Sequence, residues 1–120
     1  ERLWGNFNPP RLYFAPAVSS TSVYVAGERA SRYSTDARIQ SYNRNDGTIN
    51  WKQTLDQITS APLITSDGLL IAAGSSLVLL DPDSGELIKA LDYKQDISSP
   101  ISIKSGTYYI VGGNNIHALK

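Results

Sequence analysis

Cysteine is absent from the 120 residues of this chain. A disulfide framework, a thiolate-held zinc or iron–sulfur site and a thiol nucleophile are therefore excluded. Methionine is absent too, and the chain opens on Glu1, which reads as a processed chain or a fragment of a longer one. The single histidine, His117, is too little on its own for a metal site or a proton relay. No charge of either sign is in excess: 11 Lys and Arg balance 11 Asp and Glu. A nucleic-acid partner held by an overall basic field is not expected. The longest apolar stretch, Leu69 to Leu80, is broken by Gly74, Ser75 and Ser76. It falls short of the roughly 20 apolar residues of a membrane helix, so no membrane span is expected. Helical patterning is lacking as well, since no window of useful length carries an i, i+3, i+4, i+7 apolar stripe.

What is present is a repeat. Ala15-Pro16, Ala61-Pro62 and Ser99-Pro100 each open a segment that runs into an apolar strand. Those strands are Val23–Gly27, Leu69–Gly74 and Tyr108–Gly112. A second set of runs follows: Ile39–Asn43, Leu77–Asp81 and Ile116–Lys120. Next come the turns Asn45-Asp46-Gly47 and Asp83-Ser84-Gly85, then short strands over Thr48–Thr54 and Glu86–Leu91. Glycine supplies the positive φ that such hairpins need. Each repeat thus holds four short strands, A to D. The repeats span approximately 15–58, 60–97 and 99–120, and residues 1–7, with Leu3-Trp4 at the end of a D strand, would complete another unit. The B strands are apolar on both sides, so both of their faces must be covered. Sheets stacked radially face to face, as β-propeller blades of four antiparallel strands, meet that requirement. The expected fold is all-β, with about three blades as part of a larger or oligomeric ring. An immunoglobulin-type sandwich is the alternative, but it needs no self-similarity at this period.

The run Leu-Asp-x-x-Ser-Gly-Glu-Leu around Asp81–Leu87, the Ser/Ala-Pro openings and the ending Asp46-Gly47-Thr48-Ile49-Asn50-Trp51 resemble the pyrroloquinoline-quinone-type (quinoprotein-like) propeller repeat. That family includes quinoprotein dehydrogenases and the propeller lipoprotein of the outer-membrane β-barrel assembly machine. Lys89 stands where the second repeat should carry its Trp, a departure from the pattern. The resemblance implies a fold more than a function, because the matching residues form turns and fill cores. It also implies a periplasmic, cell-surface or secreted location.

The chemistry-bearing residues are sparse. Asp81-Pro82-Asp83-Ser84-Gly85 carries alternate acids, as calcium loops do, but lacks the distal Glu and reads as a turn in which Asp caps its own backbone. No G-x-S-x-G elbow and no phosphate loop leading into a helix occur. No catalytic residue, metal ligand or cofactor is assigned. The irregular element is an insertion: Tyr42 follows Gly27 by 15 positions, while Leu80 follows Gly74 by six. The extra stretch, Glu28 to Arg38, lies at the same sheet end as the Asn6–Phe14 connection. Together they gather Arg11, Tyr13, Arg29, Arg32, Tyr33 and Arg38, an Arg/Tyr surface suited to recognising carboxylates, phosphates or proteins. The expected function is a non-catalytic binding or scaffold module with a protein partner. The alternative is a fragment of a quinone-dependent dehydrogenase. An isolated three-blade arc exposes two apolar faces and an unpaired edge, so it should not persist as a lone compact monomer. The faces are expected to be covered by a homodimer closing a six-bladed ring or by further blades of a longer chain.

Overall fold

A computed structural model of the chain describes residues 3–5, 11–12, 14–28, 37–94, 97, 101–112 and 115–119. Twelve strands and no helix occur among them. They form three antiparallel sheets in sequence order.

The first sheet joins β1 (Arg11–Leu12), β2 (Ala17–Val18), β3 (Ser22–Glu28), β4 (Ala37–Asn43) and β5 (Ile49–Leu55). Both β1 and β2 pair with β3, so strand A is made in two pieces. The second sheet is a complete four-strand unit, β6 (Leu63–Thr65), β7 (Gly68–Ala73), β8 (Ser76–Leu80) and β9 (Leu87–Asp92). The third holds β10 (Ser102–Lys104), β11 (Thr107–Gly112) and β12 (Asn115–Leu119).

The register shows how closely the units repeat. Tyr24 pairs with Ser41 and Ser41 with Trp51. Leu70 pairs with Leu79 and Leu79 with Lys89, and Tyr109 pairs with Ala118. A bulge follows Ser41 in the first sheet and Leu79 in the second. The C–D turns also coincide. Gly47 and Gly85 lie at φ +77° and +76° and donate to the carbonyls of Asn43 and Asp81 at 2.9 and 2.8 Å. The side chains of those same two residues accept the next backbone N–H groups, Asn45 at 2.8 Å and Asp83 at 2.8 Å.

Successive sheets stack face to face as propeller blades. Strand alternation sends Tyr24, Ala26, Ala37, Ile39 and Trp51 to one face of the first sheet. That face packs on Leu69, Ile71, Ala73, Val78 and Leu80 of the second. Leu70, Ala72 and Leu77 then point the other way and pack with Ile110 and Ile101 of the third unit. Every residue of β7 is therefore buried, as a strand sandwiched on both sides requires. Ile58 and Ile97, on the segments entering the second and third blades, seal the two cores.

The structure differs from the sequence reading at several points. Of the expected D strand over residues 1–7, only Leu3–Gly5 are among the described residues, and they pair with none of the described strands, so the blade they would complete lies outside what is described. Glu28, Ala37 and Arg38 belong to β3 and β4 rather than to the inserted loop, because pairing continues past Gly27 as Gly27↔Arg38 and Glu28↔Ala37. The connection is thereby shortened to residues 29–36. The D strands run Ile49–Leu55 and Leu87–Asp92, one residue later than the composition marks them.

Candidate functional site

Two tryptophans clasp the blades. The Trp51 ring covers Gly85 in the next blade's C–D turn, where a Cβ would overlap its ring atoms. Its indole N–H donates to the Pro82 carbonyl at 2.9 Å, which also accepts from the Tyr24 hydroxyl at 3.3 Å. Trp4 repeats the arrangement over Gly47, donating to the Arg44 carbonyl at 2.8 Å. Glycine is required at these two turns by both the positive φ and the stacked ring. These are structural contacts, and they fix where the loops and grooves lie.

The Arg-bearing end of the first blade is defined by backbone pairing. Arg11 pairs with Glu28, beside the Gly27↔Arg38 pair, so Arg11 and Arg38 share the sheet end from which connection 29–36 departs. Tyr13, Arg29, Arg32 and Tyr33 lie outside the described residues. Arg38 is half-buried in β4, not in an open loop, and its Nε is buried with no hydrogen-bond partner.

Alternation puts Gln40 and Tyr42 on the same face as Arg38. Gln40 is fully buried, and neither its amide nitrogen nor its oxygen finds a partner. The buried Tyr42 hydroxyl is likewise unpartnered. Burial pushes the Tyr42 phenol above its usual pKa, while the Arg38 charge pulls it the other way. The sequence reading missed Gln40 and Tyr42. Their signal was the repeat itself, since β8 carries Val78 and Leu80 in the matching places.

Two grooves flank the first blade. One of about 260 Å³ runs between β5 and the second sheet, lined by Thr54, Leu55, Ala73, Val78 and Leu87. The other, about 420 Å³, lies at the opposite end from Arg11 and Arg38. It is lined by Thr21, Ser22, Asn43, Asn50, Pro82 and Asp83. Asn50 is held there by donating to the Ser41 hydroxyl at 3.1 Å.

Asp81 Oδ1 accepts from the backbone N–H groups of Asp83 and Ser84. Asn43 does the same work in the first blade without a charge, which assigns the acidic run a turn-forming role. No group of three or more potential metal ligands occurs among the described residues. His117 is half-buried against the Tyr93 ring, 5.6 Å between centroids, and its Nε2 is buried without a partner.

No protein-family model and no curated protein matches the chain. Among solved structures, the chain is similar to that of BamB from Moraxella catarrhalis, with a TM-score of 0.58 and 17% identity. The match covers 92% of this chain and 45% of that one, so the chain spans less than half of the BamB structure. At that identity the likeness shows the fold: an all-β, propeller-type stack of blades. No helix among the described residues is long and apolar enough to cross a membrane.

Proposed function

We propose that the chain is a non-catalytic propeller segment that binds protein through the Arg-bearing end of its first blade, outside the cytoplasm. The observation that carries this reading is the pairing of β1 with the end of β3. It sets Arg11 beside the strand ends that carry the 29–36 connection and Arg38. The connection that carries Arg29, Arg32 and Tyr33 in the sequence leaves from and returns to paired strands, and connections borne on a rigid scaffold commonly carry recognition. Guanidinium groups match carboxylates in fork geometry, so the complement is an acidic segment of another polypeptide. The extracytoplasmic location rests on the quinoprotein-like repeat and on the fold shared with BamB.

A labelled poly-glutamate peptide serves as the probe. Fluorescence anisotropy should show binding that falls about tenfold or more on changing Arg29 and Arg32 to Ala, with an unaltered urea midpoint showing that the fold survives. The change Asp83→Asn, at the opposite end, should leave binding unaltered. Binding that survives the Arg changes and is lost with Asp83→Asn would place recognition at the other end. Alcohol or sugar turnover with added quinone and calcium should not exceed a heat-killed control.

A further inference from the structure

We propose that β9, on the rim of the second blade, accepts an added strand: an extended segment of a partner polypeptide that carries an apolar residue and, two positions on, a Lys or Arg. The inference is independent of what the Arg-bearing end binds.

Among the described residues β9 bonds to β8 alone. The Tyr93 N–H donates to the Ser75 carbonyl at 2.9 Å, a pair that continues the register Leu77↔Leu91 and Leu79↔Lys89. Bonded and unbonded pairs alternate along an antiparallel ladder. Lys89, Leu91 and Tyr93 therefore turn their backbone groups toward β8, while Ala90 and Asp92 turn theirs outward. Such an outward row of N–H and C=O groups is matched by another extended chain. Charged side chains commonly block edges of this kind. The first blade has one, since Lys52 pairs with Gln40 as Ala90 pairs with Val78. The second blade has Ala90 in that place, next to the exposed Ile88 and Leu87.

The side chains beside this edge specify the partner. Pairing of Leu87 with Leu80 and of Ala90 with Val78 puts Leu87 and Ala90 on the side that faces the first blade. There they line the groove of about 260 Å³, opposite Thr54 and Leu55 of β5. Ala73, Val78 and Leu80 line it too, and they belong to the core already formed between the two blades. An apolar side chain opposite Ala90 on an added strand would enter the groove and extend that core. The groove's charged side chain is Asp56. Asp92 follows Ala90 by two residues on the same side, paired with the groove residue Ser76. The backbone N–H of Lys94 and the Ser75 hydroxyl hold the Asp92 carboxyl below its usual range, so it is charged at neutral pH. A cation two positions from the apolar residue would meet these two carboxylates, because side chains two apart on a strand share a face.

The probe is a labelled eight-residue peptide in which Thr alternates with Val and Lys in turn. Amide exchange read by NMR should slow about tenfold or more at Ala90 on adding the peptide, with no change at Lys52 on the first blade. Ala90→Pro removes the outward N–H and spares the bonds to β8, and Ala90→Lys copies the block of the first blade. Each should weaken binding about tenfold or more by fluorescence anisotropy while the urea midpoint holds. Should the proline unfold the edge, the lysine variant decides. Changing Arg29 and Arg32 to Ala should leave binding of this peptide unaltered, which separates this site from the Arg-bearing end. Absence of binding, binding that leaves Ala90 exchange unchanged, or binding that survives Ala90→Lys overturns the proposal. A dimer of the unaltered chain that Ala90→Lys dissociates overturns it as well, because a second copy would then hold the edge.

Discussion

At the residue scale, the turns do more than reverse the chain. Each C–D turn is tied by an Asn or Asp side chain, opened by a positive-φ glycine and roofed by an indole that precedes it in the chain, Trp4 over Gly47 and Trp51 over Gly85. Charge enters at the exposed edges of this scheme. Asp46 lies below its ordinary pKa of 3.8, chiefly through the backbone N–H of Thr48 and then the Thr48 hydroxyl. Asp92 is lowered in the same way by the backbone N–H of Lys94 and the Ser75 hydroxyl. A carboxyl with a depressed folded-state pKa stabilises the fold fully above its unfolded value, and that contribution is lost as pH falls through the folded value. The chain should therefore lose stability below about pH 4. Changing both residues to Asn should flatten that acid limb and lower the neutral midpoint toward the acid one. Urea midpoints measured between pH 2 and 7 check this, and an unchanged acid limb contradicts it.

At the element scale, burial follows position within the blade. β7 is buried along its whole length, while β9, also rich in Leu and Ile, is exposed along its whole length. Only strands sandwiched between neighbouring sheets have two covered faces. Ile71→Ala should thus cost about 2–5 kcal/mol, whereas Ile88→Ala, at an exposed position, should fall within about 0.5 kcal/mol of neutral. Chemical denaturation reads both, and equal costs would contradict the stacking.

The same contrast marks what could be read from sequence. The continuous apolar run Leu69–Ala73 announced a strand covered on both sides, and the Gly47 and Gly85 turns announced their hairpins, because local chemistry decides those features. The exposure of Leu87, Ile88 and Leu91 was not legible, because it depends on which strand lies outermost. The split strand A and the true start of β4 depend on pairing partners distant in sequence. At the candidate site, Arg11 and Arg38 were legible as neighbours of one sheet end. The burial of Arg38 and its alignment with Gln40 and Tyr42 required the register, since a shift of one residue sends all three to the opposite face.

At the scale of the whole molecule, the chain is a stack of unlike surfaces. Aliphatic faces meet within it, a polar row is buried on the far side of the first blade, and Tyr109 and Ile116 stand exposed on the third. The unpaired strand β12 adds an edge for further pairing, since among the described residues it bonds to β11 alone. In such an arc the clasps hold each blade at a fixed place relative to the last, and the connections extend from that frame. The central claim is that consecutive sheets pack face to face with Trp51 seated on Gly85 of the next blade. Proton NMR tests it most directly, because the indole ring current shields whatever lies against its face. The Gly85 α-protons should resonate well upfield of an ordinary turn glycine, show cross-relaxation to the Trp51 ring and return to normal shifts in Trp51→Ala. Gly85 at ordinary shifts in the unaltered protein, with no cross-relaxation to Trp51, would contradict the account.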